Sequence, residues 1–483
     1  MIGYYAMSIT CTLDSSIKLD PRDLPKNVLD EIFNHLRIPN PQKKIAEREM
    51  LWGAENLPDY IELWKYNGHN ELILPRGFLG RLNIILVENN FPINYTDKTE
   101  SDDNYLYDIP EISLRKYQNE AVADLIANEH GIYKAPTGSG KTRVMLEIAR
   151  ECHQKTLAIC EKTDILAQWM DSALDLNFGD VGNIGNGTWF EGPDIVFALR
   201  QSLINRSDLD QDWYDQWGMV IIDECHHLCS ADTLIDLVQR FPARYRFGCS
   251  ATPDSDPDLF PIASAVIGPV VHESTPEEIG EHLVIPSVKV VKTDFEFPYR
   301  PTVRAGNKVI RNNYNNMMGF LQSSKRRNRI IMKEVYREAV EGHKCLVVSK
   351  RKLHFHNLYE VMNQEYPELN LFSFELTGDN SSHYADIKNK IENSSEGSVL
   401  FSTLADEGTD IPCMDRIFLT YPGRKLRGYE QAIGRIMRPH PKKKDAIVYD
   451  FRDANVSILN SQYRFRAQNI YNKKNYKVEH INE

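Results

Sequence analysis

The sequence predicts an α/β protein built from two parallel-sheet units in tandem, behind a smaller N-terminal α+β region. Three observations carry this. Short apolar runs alternate with helix-length segments from about residue 111 to 272, and a second such series runs from about 325 onward. Each series is ~150 residues long, an ordinary domain size. At 483 residues the chain is long enough for about three domains, and its 42% hydrophobic content suffices for packed cores.

Residues 1–105 are expected to form an accessory domain. They hold helical spacing over 24–36 and 44–51 and a turn at Leu74-Pro75-Arg76-Gly77-Phe78. They end in a polar tract, 96–104, whose Asp97, Glu100, Asp102 and Asp103 read as a linker. Residues 106–272 form the first unit, with strands expected around Tyr133 and at 156–159, 195–198, 219–222 and 247–250. Residues 273–324 read as an irregular bridge. Residues 325–483 form the second unit, with strands at 345–349, 371–375, 399–402, 416–420 and 446–450. No internal repeat of 20–50 residues and no low-complexity tract interrupts this plan.

Residues 135–142, Ala-Pro-Thr-Gly-Ser-Gly-Lys-Thr, form a phosphate cradle between a short strand (131–134) and a helix (144–149). Gly138 and Gly140 let the backbone curl so that the N–H groups of Thr137 to Thr142, Ser139 included, point at phosphate oxygens, aided by the helix N-terminus. Lys141 is suited to the β- and γ-phosphates, and the Thr142 hydroxyl to one magnesium position. Some eighty residues on, the apolar strand 219–222 runs into Asp223-Glu224-Cys225-His226. Ligands collect at the carboxyl ends of such strands. Asp223 is therefore assigned to Mg2+ and Glu224 to the general base that orients an attacking water. The pair implies ATP hydrolysis with ATP and Mg2+.

Eight cysteines without a Cys-x-x-Cys pair suggest neither a disulfide framework nor a zinc ribbon. Cys225-His226-His227-Leu228-Cys229 is better explained by its place at the catalytic strand end, so no structural metal is expected. The first residues lack a charged segment followed by an apolar one, and no run of about 18 apolar residues occurs. The expectation is a cytoplasmic protein with no membrane partner. Net charge is −11, yet residues 301–483 carry 30 Lys and Arg against 21 Asp and Glu, leaving 27 against 47 for residues 1–300. The clusters Lys325-Arg326-Arg327-Asn328-Arg329, Arg424-Lys425-Leu426-Arg427 and Lys442-Lys443-Lys444 suggest a surface that tracks phosphates, with Lys325, Arg326 and Arg327 as candidate nucleic-acid contacts. Screening confines each charge to about 8–10 Å, so a local patch can bind a polyanion despite an acidic average.

Across residues 111–440 the chain resembles a superfamily 2 helicase or translocase. Arg115 and Gln118, in Leu114-Arg-Lys-Tyr-Gln, resemble the adenine-recognising element. Residues 135–142 are similar to motif I, and 156–169 to motif Ia, whose Lys162 and Thr163 would contact a strand. Asp223-Glu224-Cys225-His226 resembles a DEAH-like motif II. Ser250-Ala251-Thr252 resembles motif III, which in the family couples hydrolysis to nucleic-acid movement. Residues 406–412 resemble motif V and imply nucleotide contacts from Gly408 and Asp410. Residues 431–438 resemble motif VI. The resemblance implies two RecA-like domains. Arg435 and Arg438, three apart on an expected helix, would project from one face as arginine fingers, and Gln431 would position the water.

The Gln168-Trp169 ending of motif Ia, the segment 267–271 and the Gly-Arg-Ile-Met-Arg-Pro run resemble the XPB-like branch, which includes phage UvsW-type and bacterial restriction or repair helicases. That implies DNA, duplex, forked or branched, as partner. Two departures stand out: Pro253-Asp254-Ser255-Asp256-Pro257 lacks the arginine of the branch's Arg-Glu-Asp element, and Cys160-Glu161-Lys162-Thr163 lacks a proline before the threonine. The N-terminal region is assigned DNA-structure recognition, with a stabilising cap or docking surface as the alternative. Pro58-Asp59 and Glu62 to Lys65 lie too close together for a two-strand nuclease site. Two readings stay open beside a DNA motor acting in repair, recombination or phage-related processes. One is an ATP-dependent DNA clamp that recruits a nuclease or a repair or defence partner; the other is an RNA helicase.

Overall fold

The computed structural model describes residues 8–40, 42–43, 46, 54–102, 105, 109, 111–230, 232–254, 256–280, 283–299, 303–305, 308–310, 314–376, 383–403, 411–424 and 426–481. Its internal contacts divide the chain into two compact units, one over Met1–Pro136 and Gly140–Glu278, the other over Thr137–Ser139 and Ile279–Glu483. No described helix is long and apolar enough to cross a membrane.

The first unit holds two sheets. The N-terminal one has five strands in the order Lys65–Tyr66, Leu72–Pro75, Ser16–Leu19, Ile9–Leu13, Ile93–Asp97. Its strands alternate: Ile9, Cys11 and Leu13 are buried while Thr10 is exposed, the pattern of a sheet with one dry face. Helix Lys26–Leu36 covers that face with Val28, Ile32 and Leu36, four residues apart, and helix Leu79–Glu88 with Leu82, Ile85 and Leu86. The polar tract expected to begin at residue 96 overlaps this sheet, because Ile93–Asp97 pairs in parallel with Ile9–Leu13. The helical spacing noted at 44–51 falls largely outside the described residues.

The same unit's larger sheet has eight strands in the order Thr188–Phe190, Gly182–Gly185, Ile195–Leu199, Thr156–Cys160, Met219–Asp223, Tyr245–Ser250, His130–Lys134, Val270–Glu273. All pairings are parallel except the edge hairpin 182–190. Thr156–Cys160 is buried at every position and Met219–Asp223 at all but its last, as expected of strands covered on both sides.

The turn at 74–78 proves to be a docking device within this unit. Arg76 is buried and donates through Nη1 to the Ala243 carbonyl and through Nη2 to the Arg244 carbonyl at 2.5 Å. Gly77 lies so close to helix Phe260–Val266 that a Cβ there would sit 2.4 Å from the Gly268 nitrogen and 2.7 Å from the Ser264 oxygen. Buried Arg246 reaches the carbonyls of Val266 (3.0 Å), Phe241 (2.7 Å) and Ser15 (3.3 Å). These charge-assisted bonds to carbonyls weld the small sheet to the large one.

The second unit carries a seven-stranded, all-parallel sheet in the order Ser373–Leu376, Ser398–Ser402, Lys344–Val348, Arg416–Leu419, Ile447–Arg452, Ser287–Lys292, Val478–Ile481. Residues 273–324 are therefore not an irregular bridge. Ser287–Lys292 buries Val288, Val290 and Val291 in this sheet, and Tyr314–Ser323 is a helix that buries Met317, Met318 and Leu321. Both units have the layered α/β architecture anticipated, a parallel sheet flanked by helices.

Candidate active site

Three neighbouring strands of the large sheet end at one place: His130–Lys134, Tyr245–Ser250 and Met219–Asp223. Their register pairs Ser250 with Lys134 and Asp223 with Cys249. From Lys134 the chain enters the loop, where Gly138 (φ +87°) and Gly140 (φ +84°) occupy the left-handed region that favours glycine. Gly140 has a second reason to be glycine: a Cβ would lie 2.5 Å from Gln118 Nε2. Gln118 is buried and caps its own helix, its Oε1 accepting from the Arg115 N–H at 2.9 Å. Lys141 opens helix Lys141–Cys152 and turns its ammonium back onto the carbonyls of Ala135 (3.1 Å) and Pro136 (3.2 Å). A glycine-bearing loop closed on its own lysine fits a phosphate chain that would draw that lysine away.

Asp223 is placed by three groups. Its Oδ2 accepts from the Trp169 indole Nε1 at 2.9 Å; its Oδ1 accepts from the Cys249 thiol at 3.3 Å and from the Glu224 backbone N–H at 2.9 Å. Burial pushes its carboxyl up to about 6, with the Glu224 charge adding to the rise and the Trp169 bond, the Cys249 bond and the Lys141 ammonium opposing it. A half-buried carboxylate at a strand end, with the Thr142 hydroxyl at the start of helix Lys141–Cys152, is a hard-oxygen donor set that suits Mg2+.

Glu224 has φ +47°, a left-handed backbone rare for a residue with a side chain. Its carboxylate reaches the next strand, where Oε2 accepts from Ser250 Oγ at 3.1 Å and lies 3.1 Å from His226 Nδ1. His226 Nδ1 is also 2.8 Å from Ser250 Oγ, and that oxygen accepts from the Thr252 N–H at 3.2 Å. Glu224, His226, Ser250 and Thr252 thus form one network. A group that holds a carboxylate in this way and continues into the next loop could both aim a water and carry its state to that loop. Just beyond, Asp254 pairs with Lys134 at 2.8 Å, and Glu273 pairs with the same lysine at 3.1 Å.

Lys162 precedes helix Thr163–Asp175 as its N-cap, and the exposed Thr163 hydroxyl bonds Asn186 Oδ1 at 3.0 Å. In the second unit Gln431 and Arg435 lie on helix Leu426–Ile436. Arg438 does not share that helix. It lies beyond the helix end, where Met437 N–H bonds back to the Gly434 carbonyl. Lys443 sets this turn by donating to the Ile436 carbonyl at 3.2 Å and the Arg438 carbonyl at 2.6 Å, so it is not part of a solvated basic run. Gly408 and Asp410 lie outside the described residues.

Arg327 is a clear correction. It is fully buried, with Nε 2.7 Å and Nη2 3.2 Å from the two Asp453 oxygens and Nη2 2.9 Å from the Thr420 carbonyl. It holds the second unit together and is not available to a nucleic acid. Lys325 and Arg326 are exposed on the first turn of helix Lys325–Val340, Arg326 pairing with Asp294 at 2.8 Å. Sequence reasoning missed Trp169, Cys249 and Lys443 as supports of the site. Of these only Trp169, through the Gln168-Trp169 pair, stands out in the sequence at all.

Residues 111–255 match the model of the type III restriction enzyme res subunit, and residues 326–440 that of the helicase conserved C-terminal domain. The chain is 25% identical to the DNA 3'-5' translocase XPB2 of Sulfurisphaera tokodaii, over 70% of this chain and 81% of that protein. It is 26% identical to a protein of Acanthamoeba polyphaga mimivirus provisionally named ATP-dependent RNA helicase L396, over 78% of this chain and 72% of the other. It is 20% identical to the ATP-dependent DNA helicase uvsW of phage T4, over 70% and 68%.

Proposed function

The chain belongs to the superfamily 2 helicases and translocases, in their XPB- and UvsW-like branch, and from that premise we propose a DNA-stimulated motor that moves on and remodels duplex or branched DNA in repair or recombination. It is an ATP-hydrolysing enzyme. The observation that carries the proposal is the network in which Glu224 shares Ser250 and His226 and, through Ser250, Thr252.

In this account Arg115 and Gln118 receive the adenine and residues 137–142 the phosphates. The Lys141 ammonium leaves the Ala135 and Pro136 carbonyls for phosphate oxygens. Thr142 and Asp223 would hold Mg2+, which when bound offsets phosphate charge. Glu224 orients the attacking water and takes its proton. Gln431 helps position that water, and Arg435 and Arg438 stabilise charge on the transferring phosphoryl group, a role worth roughly 10³–10⁵ in rate for arginine fingers elsewhere. Ser250 and Thr252 transmit the state of Glu224 onward, and Lys162, Thr163, Lys325 and Arg326 contact the nucleic-acid backbone. The basic excess of residues 301–483 supports a polyanionic track.

The test is displacement of a third strand from duplex DNA, which requires translocation without unwinding. Release that needs ATP and disappears in Lys141→Ala supports the motor; DNA-dependent ATP turnover with no release would leave a clamp. The mimivirus relative motivates an RNA arm: stimulation by RNA but not by any DNA would replace DNA as the track.

A further inference from the structure

We propose that Trp169 is a positioning residue through which the helix bearing Lys162 and Thr163 sets the carboxylate of Asp223. The inference rests on the reading above, in which that helix meets the nucleic acid and Asp223 serves Mg2+. Helix Thr163–Asp175 is one rigid rod. Its N-terminus carries the candidate strand contacts; its seventh residue is Trp169, about 9 Å along the axis at 1.5 Å per residue. The indole is 2% exposed, its ring lies 5.9 Å from buried Phe197, and its N–H goes to Asp223 Oδ2.

A buried indole N–H takes whatever acceptor the core offers, so the bond by itself could be ordinary satisfaction of a core tryptophan. Two features argue for more. The other two groups that place Asp223 come from its own strand end and the neighbouring strand, within Met219–Ser250. Among the described residues it is Trp169 that reaches it from helix Thr163–Asp175, which Lys162 caps. The carboxylate's two oxygens are also divided, Oδ1 held from the sheet and Oδ2 from the helix. A shift or rotation of the helix on strand binding therefore turns the carboxylate about its own axis. Support of this kind around metal ligands typically changes metal affinity or activity by roughly 10–100-fold when removed.

Trp169→Phe keeps an aromatic ring beside Phe197 and deletes the donor together with part of the ring volume, a packing change for which Phe197→Leu is the control. The expected result is a fold of unchanged circular dichroism whose binding of a fluorescent ADP analogue needs about tenfold more Mg2+ for half-saturation. Binding in EDTA should stay at the wild-type level, and DNA stimulation of ATPase should fall toward one. Phe197→Leu, which disturbs the packing and leaves the N–H, should keep the wild-type Mg2+ requirement. A wild-type Mg2+ requirement and stimulation in Trp169→Phe would overturn the proposal. So would equal effects from Phe197→Leu, which would make the tryptophan merely structural.

Should Trp169→Phe fail to fold, the native chain still decides. With 15N-labelled tryptophan, the indole resonance displaced by Asp223→Asn must move when duplex DNA is added without nucleotide; a stationary resonance refutes the coupling. If DNA binds nowhere and stimulates nothing in the wild type, the motor reading fails, whereas the Mg2+ arm of this test still reports on Trp169.

Discussion

Replacing Arg327 by Met separates a structural role from a nucleic-acid contact. The guanidinium and its partner Asp453 have side chains 0% and 1% exposed, and Asp453 Oδ1 also accepts from the Thr293 hydroxyl at 2.6 Å. Methionine fills much of the volume but leaves the aspartate buried with one hydroxyl for company. Breaking such a pair costs about 3–5 kcal/mol, because an uncompensated charge remains in the core. For a unit of roughly 200 residues this lowers the melting temperature by about 6–20 °C. Calorimetry is the assay. The transition of the second unit should fall by that amount while the other transition stays, as multidomain chains allow. At temperatures below the transition, Arg327→Met should bind DNA as the wild type does. Lys325→Ala with Arg326→Ala should instead weaken binding and flatten its salt dependence without a large melting shift. Adding Asp453→Leu to Arg327→Met should recover part of the loss, since an apolar pair avoids the buried charge. An Arg327→Met protein that melts like the wild type and loses DNA affinity would instead make Arg327 a nucleic-acid contact.

Further outcomes are expected elsewhere. Gly77→Ala should destabilise the first unit by about 1–3 kcal/mol or more, since its Cβ would press backbone atoms rather than a movable side chain; an unchanged urea midpoint would contradict the docking described. Burial lowers His354 to about 3, with Arg327 adding to the effect, and burial with Arg76 and Arg246 lowers His130 to about 4. Both are depressed, so the stability they contribute is present above pH 6.5 and lost as pH falls toward those values. Near pH 5 each should cost about 2 kcal/mol, read as a lower urea midpoint that His354→Gln makes less steep; a flat profile from pH 7.5 to 5 would contradict it. Lys443→Met should cut ATP turnover about tenfold, roughly 1.4 kcal/mol of barrier, with little change in KM; unaltered turnover would show that the turn at Arg438 needs no cap.

Much of the candidate site was legible because the chemistry it suggests is local. The loop 135–142 and the strand end at Asp223 announce themselves within a few residues, and the strand–helix alternation fixes the sheet ends where they meet. What escaped were contacts made across the chain. Trp169 and Asp223 are 54 residues apart, and the indole that holds the carboxylate looks in sequence like any core aromatic. Arg327 was misread because a basic run suggests solvent. Yet Arg327, Ile331 and Val335 recur every four residues along a helix whose buried face they share, so the period outvotes the charge. Strand Ser287–Lys292 carried a readable apolar pattern, but its partners at Ile447–Arg452 and Val478–Ile481 lie more than 150 residues on. The docking role of Arg76 and Gly77 had no periodic signature, because it depends on carbonyls presented by a different sheet.

The most direct measurement is steady-state ATP hydrolysis by the wild type and by Glu224→Gln, each with and without forked duplex DNA. Glutamine keeps the shape and a hydrogen-bonding oxygen at the strained position but cannot accept the water's proton. The wild type should be stimulated severalfold or more by DNA, and the variant should bind nucleotide and DNA normally while turnover falls by roughly 10²-fold or more. Hydrolysis in Glu224→Gln at the wild-type rate, or a wild type indifferent to every nucleic acid, would contradict this expectation.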